Sequence, residues 1–556
     1  MKSKIYHFLL WMLILSSVSC KKQLDVLNPN APTVLGNVNS ETGIIALAQG
    51  AVYINGFKNG DVWLGDSYFS LPYGYSELLG DVVGADAANQ LISQVNVPDY
   101  FILDNGTKVT NPSPTRSLLR TYNTRDQTAN GYNPLYYQWL NMYAMNNACN
   151  VTLSLLADIP FTGDAATKAN TIKAWCFWWK GYAYASIGSM YYAGLIADDA
   201  GITNANYVLQ DAVITRSNYY FNQAATILNG ITSLTDYSLV LGQLIPKFTQ
   251  VGNGGVLTPQ MWIRNINTML ARNILVNKLA PFVNNNPAAT IAGASVPAMT
   301  SADWTSVLNL ATNGIKLGDY VFTGRTTTVN GFFGTGGGTV SALTTGNNTG
   351  NTFKISERFI QNFKAGDKRL ANNFKNSPVF TNNLVFGTRW NQIDNGNGMN
   401  GVYVYGTNTK VGAYELFIAG SYEENTLMLA EANIRLGNIE TGLGYVDAVR
   451  TYQGAGIAAV KGTGLNLAQA LSELVKERRV ALVYRGLSFY DSRRWGWIYD
   501  LTKGGGLYGA AVLVGVSDLN TNVTINYNFL DYWDVPADEV ALNPPAAGSA
   551  PVVNPH

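Results

Sequence analysis

Apolar residues recur at three- and four-residue intervals through much of the chain, the spacing that lines one face of an α-helix. The pattern predicts helices over about residues 40–55, 134–157, 168–190, 217–231, 260–280, 301–317, 421–436, 439–453 and 467–484. It is clearest across 421–451, where Leu427, Ala430 and Ile434 share a face, Leu436-Gly437 ends the helix, and Leu443, Val446 and Val449 resume the pattern. A small residue at the crossing and a Leu-Gly turn give this pair a tetratricopeptide-like character. Residues 175–189 followed by 216–228, and residues 304–320, are candidates for further units. Such units stack to bury a continuous core, so the expected fold class is mainly α, a helical scaffold with helix pairs. Three long, aromatic, loop-like insertions interrupt it, at 59–105, 323–353 and 379–411, and loops of that length usually carry function.

The first residues follow a different pattern. Lys2 and Lys4 precede an apolar stretch from Phe8 to Leu15, and small residues lead to Cys20, as in an export signal. The expected organisation is a signal over 1–19, a tether over 20–38 lipidated at Cys20, and a single domain over 39–556. Acyl chains on Cys20 would hold the protein at a membrane by burying methylenes. The apolar stretch is shorter than the roughly 20 residues a bilayer span requires. The run around Trp175 to Tyr192 is interrupted by Lys180, Gly181 and Gly188.

Composition narrows the chemistry. Charged residues make up 13% of the chain, about half the usual share, so the surface must be polar through Asn, Thr and Gly. Taking Lys2 and Lys4 from the 37 basic residues leaves 35 against 36 acidic ones. A near-neutral chain without a basic stripe argues against a nucleic-acid partner. The two histidines, His7 and His556, lie at the extremes, which removes Ser-His-Asp and Cys-His nucleophiles and His-ligated zinc. No metal site, catalytic residue or cofactor is expected. Cys149 and Cys176 sit in apolar helical segments and read as two buried thiols.

Three stretches carry a family resemblance. The first runs from Tyr422 through Glu423-Glu424-Asn425 and Ala430 to Val449-Arg450. In the second, Glu477-Arg478-Arg479 is followed by Leu482, Gly486, Phe489, Asp491 and Arg494-Trp495-Gly496. The third holds Trp533-Asp534-Val535-Pro536, Glu539 and Asn543-Pro544. Together these resemble the SusD/RagB family of outer-membrane nutrient-binding lipoproteins. The chain departs from that pattern at Ala481 and Arg485, where the family carries acids, so ion pairing around this helix must differ. The resemblance implies a SusD-like scaffold on the cell-surface side of the outer membrane. It also implies a non-enzymatic role, capturing oligosaccharide for a SusC-like TonB-dependent transporter. RagB-like capture of peptide or another nutrient is the alternative, followed by a carboxylate-based glycoside hydrolase or a helical-repeat adaptor for protein.

Sugar capture needs flat apolar faces and amide, hydroxyl or carboxylate partners for hydroxyl groups. The first insertion supplies Trp63, Asp66, Tyr68, Tyr73 and Tyr75, and the third supplies Trp390 and Asn391 beside Gln392. These are the candidate ligand-binding residues. Trp495 is assigned to the scaffold instead, and the Arg478-Arg479 and Arg493-Arg494 pairs read as solvated or ion-paired helix and loop charges rather than a phosphate site.

Overall fold

The computed structural model describes residues 38–53, 74–85, 95–112, 115–125, 133, 135–325, 353–381, 387–392 and 415–556. Its principal helices are α1 (Glu41–Tyr53), α2 (Gly74–Leu79), α3 (Tyr136–Leu155), α4 (Ala165–Met190), α5 (Gln210–Asn229), α6 (Leu234–Leu244), α7 (Pro259–Val276), α8 (Ser301–Thr312), α9 (Tyr422–Arg435), α10 (Ile439–Tyr452), α11 (Leu467–Ala481) and α12 (Ser488–Arg494). The mainly α class holds, and every predicted helix is present. Local chemistry sets their ends. Thr258 Oγ1 accepts from Met261 N ahead of Pro259, and Thr300–Asp303 and Asn466–Gln469 form capping boxes, each satisfying amides that the first turn leaves unpaired.

The helices form a chain of neighbours: α3 packs on α4, α4 on α5, α5 on α7, α7 on α8, α8 on α9, α9 on α10, and α11 on both α9 and α10. The 421–451 pair is α9 and α10, and Gly437 at φ +89° turns the chain between them, a conformation that favours glycine. A Cβ on Gly442 would stand 2.6 Å from the backbone oxygen of Ala430, so the helix crossing depends on a glycine at 442. The second expected unit is the α4–α5 pair. The third differs: α8 ends at Thr312 and packs between α7, which precedes it in sequence, and α9, far downstream. Cys149 and Cys176 are free and buried, as read. No described helix is long and apolar enough to cross a membrane.

A sheet accompanies the helices, and the helical periodicity gave no sign of it. Its strands are β1 (Val83–Ala85), β2 (Tyr100–Ile102) and β3 (Lys108–Thr110), then β7 (Phe353–Ile355), β8 (Phe374–Thr381), β9 (Gly387–Gln392), β11 (Leu507–Val514) and β12 (Asp518–Asn526). They are ordered β1-β7-β9-β11-β12-β2-β3, with β8 also on β9. Two small ladders pair β4 (Ala193–Leu195) with β5 (Tyr207–Leu209) and β6 (Phe322–Arg325) with β10 (Glu415–Ala419).

The signature residues form a buried charged hub. Arg478 Nε meets Asp491 at 2.8 Å, Asp491 meets Arg494 Nε at 2.7 Å, and Arg494 forks onto both Glu431 oxygens at 2.6 and 2.7 Å. The Arg494 and Glu431 side chains are both 0% exposed. Glu477 receives Arg369 at 2.6 Å and Arg450 at 2.8 Å. Burial by itself would raise the Glu477 and Asp491 carboxyls, but the arginines around them override it and hold both below the usual carboxylate range. Arg479 donates to Gly80 O and Asp81 O, tying α11 to the turn after α2. Arg493 donates to the carbonyls of Ser189, Val276 and Asp531. Arg485, the departure from the family pattern, pairs with Glu423 at 3.4 Å and lies 3.6 Å over Phe417. Trp495 is fully buried, as assigned.

The tail residues act as a strap. Trp533 N donates to Met190 O, and Tyr192 N donates to Trp533 O. Glu539 accepts from Trp139 Nε1 at 3.1 Å, and Asn543 Nδ2 donates to Asn204 O at 2.8 Å.

Removing one member of a buried pair strands the other charge at a cost of about 3–5 kcal/mol. Arg494→Met is expected to lose that much in guanidinium unfolding. Arg494→Met combined with Glu431→Leu should regain a large part of it, and equal losses in the two variants would contradict the account.

A second test concerns Glu77, whose carboxylate accepts from Gly486 N and Ser488 Oγ in the core. Burial pushes this carboxyl up to about 7. The folded state thus binds the proton more tightly than the unfolded chain does. The resulting stabilisation is complete below about pH 4.5 and is lost as pH rises through about 7. Glu77→Gln should remove that component, so the variant gains on the wild type as pH rises, and parallel stability curves would contradict the assignment.

Candidate functional site

The described residues fix the stems from which the predicted insertions leave the scaffold. Tyr53, the last residue of α1, has its ring 6.2 Å from Trp175 and 6.4 Å from Trp179. Phe322, the first residue of β6, lies 5.8 Å from Trp175 and 5.6 Å from Trp179. Aromatic packing of this kind, part stacked and part edge-to-face, adds to simple area burial, and here one tryptophan pair on α4 seats two stems. Helix α4 can carry such residues on nearly every side because it is buried on nearly every side.

Strand register joins the other stems pairwise. Arg325 on β6 stands opposite Glu415 on β10, bringing the start of the second insertion beside the end of the third. Ala85 on β1 stands opposite Phe353 on β7, bringing the first insertion beside the end of the second. Ile355 faces Val83 on one side and Trp390 on the other. The three aromatic insertions predicted from sequence are therefore rooted in a framework of two ladders, the large sheet and the separate β6–β10 pair.

The candidate residues fall in different places. Trp390 is half-buried and packs against the main core. It lies in β9, opposite Ile355 and Asn376, and not in the Gly/Asn-rich loop the sequence suggested. Its indole Nε1 is buried with no acceptor, and Arg389 beside it reaches Glu357 at 3.1 Å. Asn391 follows on the same strand, opposite Lys375. Tyr75 is 2% exposed, with its ring edge-on to Trp533 at 5.8 Å, and burial raises its phenol. It stands in the core and offers no open face. Trp63, Asp66, Tyr68, Tyr73 and the lipidation residue Cys20 lie outside the described residues. The stem residues Tyr53 and Phe322 escaped the sequence reading, and a lone aromatic at an element's end carries no periodic signal. Among the described residues no group of three or more His, Cys, Asp or Glu side chains could hold a metal ion.

No family model and no curated protein sequence matches the chain. Solved structures do. A SusD superfamily protein from Parabacteroides distasonis superposes with a TM-score of 0.52 at 12% identity, over 91% of this chain and 98% of the other. The chain has the SusD-like fold. A putative sugar-binding protein from Bacteroides vulgatus aligns with a TM-score of 0.53 at 14% identity, over 92% of this chain and all of the other. A third structure, containing a xylogluco-oligosaccharide, aligns with a TM-score of 0.53 at 14% identity, over 92% and 99%. At these identities the likeness speaks for the SusD-like fold alone.

The seating of the stems has a measurable consequence. Phe322→Ala empties the space between Trp175, Trp179 and Trp262 and is expected to cost about 3–5 kcal/mol, as for other buried Phe→Ala changes. Chemical denaturation reads this directly, and a loss under 1 kcal/mol, small for such a deletion, would mean that the aromatic cluster does not hold β6.

Proposed function

We propose that this protein is a non-enzymatic, surface-held glycan-binding lipoprotein that captures oligosaccharide and passes it to a SusC-like TonB-dependent transporter in the outer membrane. The observation that carries the reading is the SusD-like fold along nearly the whole chain, shared with a putative sugar-binding protein and with a protein solved with a xylogluco-oligosaccharide. The hydrogen-bonded stems support it, because rigid roots let aromatic and amide residues on the insertions meet a ligand at low ordering cost. Trp390 supplies an apolar ring at that framework, with Asn391 next to it and Trp63, Asp66, Tyr68 and Tyr73 as partners from the first insertion.

Capture without catalysis fits the residues present. Between His7 and His556 the chain contains no imidazole. The buried acids Asp81, Glu477 and Asp491 are each held by arginine, which lowers their carboxyls and leaves them unsuited to donate a proton. Anchoring through lipid on Cys20 would place the binding insertions at the cell surface beside the transporter.

Affinity electrophoresis against a panel of polysaccharides tests the reading. At least one glycan class is expected to retard the protein, with Trp390→Ala and Trp63→Ala each weakening the effect by about tenfold or more, as for aromatic hot spots. Migration unchanged by every glycan would overturn sugar capture. Release of reducing ends from a retarding glycan would overturn the non-enzymatic role.

A further inference from the structure

Glycine follows asparagine at Asn105, Asn229, Asn253 and Asn313 among the described residues. In that dipeptide the backbone nitrogen of the glycine can attack the side-chain amide of the asparagine, because no Cβ blocks its approach. The backbone must rotate for the five-membered ring to close, so the surrounding structure decides which pair reacts. Asn229, Asn253 and Asn313 are held. Asn229 is the last residue of α5, and Gly230 N is bonded to Ile227 O and Leu228 O. A Cβ on Gly254 would strike Thr249 O, and one on Gly314 would strike Asn425 Oδ1, so neither peptide has room to turn.

Asn105 stands in different surroundings. It lies at the exposed tip of the hairpin that joins β2 to β3, and nothing stands within 4 Å of where a Cβ on Gly106 would be. Gly106 takes φ +84°, and its amide bonds to Leu103 O at 2.9 Å within the turn. The side chain is preset for attack. Thr107 N donates to Asn105 Oδ1 at 2.9 Å, which turns the carboxamide back along the Gly106 peptide and polarises its carbonyl. A backbone N–H aimed at that oxygen stabilises the charge it gains when the carbon becomes tetrahedral. Both oxygens of the preceding Asp104 are engaged elsewhere, accepting from Thr521 N at 3.0 Å and Asn522 N at 2.9 Å. The base of the turn is thus tied to β12 while its tip stands clear.

We propose that Asn105 is a self-modifying site, converted to aspartate and isoaspartate by the chain itself. The Gly106 nitrogen gives its proton to hydroxide and bonds to Asn105 Cγ; the Cγ–Nδ2 bond breaks, and ammonia leaves. Water then opens the cyclic imide at either carbonyl. The net change is amide plus water to carboxylate plus ammonium, with nothing oxidised or reduced. Opening at the backbone carbonyl leaves isoaspartate, which adds a methylene to the main chain between β2 and β3 and places a carboxylate beside Asp104. Because ammonia is lost to solvent, the change runs one way and marks the age of the molecule, whatever ligand the insertions take.

Incubating the full chain in mildly alkaline buffer and mapping its peptides by mass spectrometry, with electron-transfer fragmentation to separate isoaspartate from aspartate, tests the proposal. The peptide holding Asn105 is expected to convert at least about tenfold faster than those holding Asn229, Asn253 and Asn313, a modest return for one oxyanion donor. In guanidinium, where the fold no longer holds any of them, these rates should draw together. Asn105→Gln, whose longer side chain would have to close a larger ring, should stay unconverted over the same period. A folded-state rate at Asn105 no higher than at the other asparagines, or rates that stay as far apart in guanidinium, would overturn the proposal.

Discussion

The structure depends on charge kept away from water. Arginines of α11 and α12 reach α2, α4, α7, α9 and the tail, and the Glu477 carboxylate at the same hub gathers α10 and the 368–373 helix. Apolar packing alone would let these elements slide, because hydrophobic burial is non-directional. A planar guanidinium bonded to two carboxylate oxygens admits one arrangement. Buried pairs of this kind add little net stability relative to apolar replacements. Their contribution here is to fix which helix meets which, and so to hold the stack in the register that the stems require.

That hub accounts for what could and could not be read beforehand. The helices were legible because apolar spacing, capping residues and the Leu436-Gly437 stop agree with one another. The doubled arginines read as solvated or ion-paired charges, yet all four are buried, Arg478 and Arg494 against acids and Arg479 and Arg493 against backbone carbonyls; the order Glu477-Arg478, Asp491, Arg494 was legible as a signature. Their partners were not, since Glu431 lies far from Arg494 in sequence and nothing local marks it. The sheet was hidden for a related reason: β1, β2, β3 and β7 are three residues each, too short to show alternation, and their pairings join distant segments. Helix α6 begins at a Ser233 cap but contains Gly242, which weakens its helical pattern.

The candidate site was legible in part. Trp390 was nominated for its polar neighbours, which are the residues of β9 and its partners, so the same sequence feature reads as loop until the ladder is seen. Tyr75 shows the opposite ambiguity, because an aromatic in a cluster of aromatics looks alike whether it faces a ligand or Trp533.

The tail strap governs more than the finished fold. Asp531, Trp533 and Asn554 close hydrogen bonds with Arg493, Met190 and Arg120, so the ends of helices made early stay open until residues made very late arrive. Contacts of such long sequence separation slow folding. The chain must therefore pass through an interval in which the end of α4, at Met190 and Tyr192, lacks its partner Trp533. Low charge, 13% of the residues, offers little repulsion against self-association during that interval, which makes the docking of the strap a determinant of yield as well as of shape.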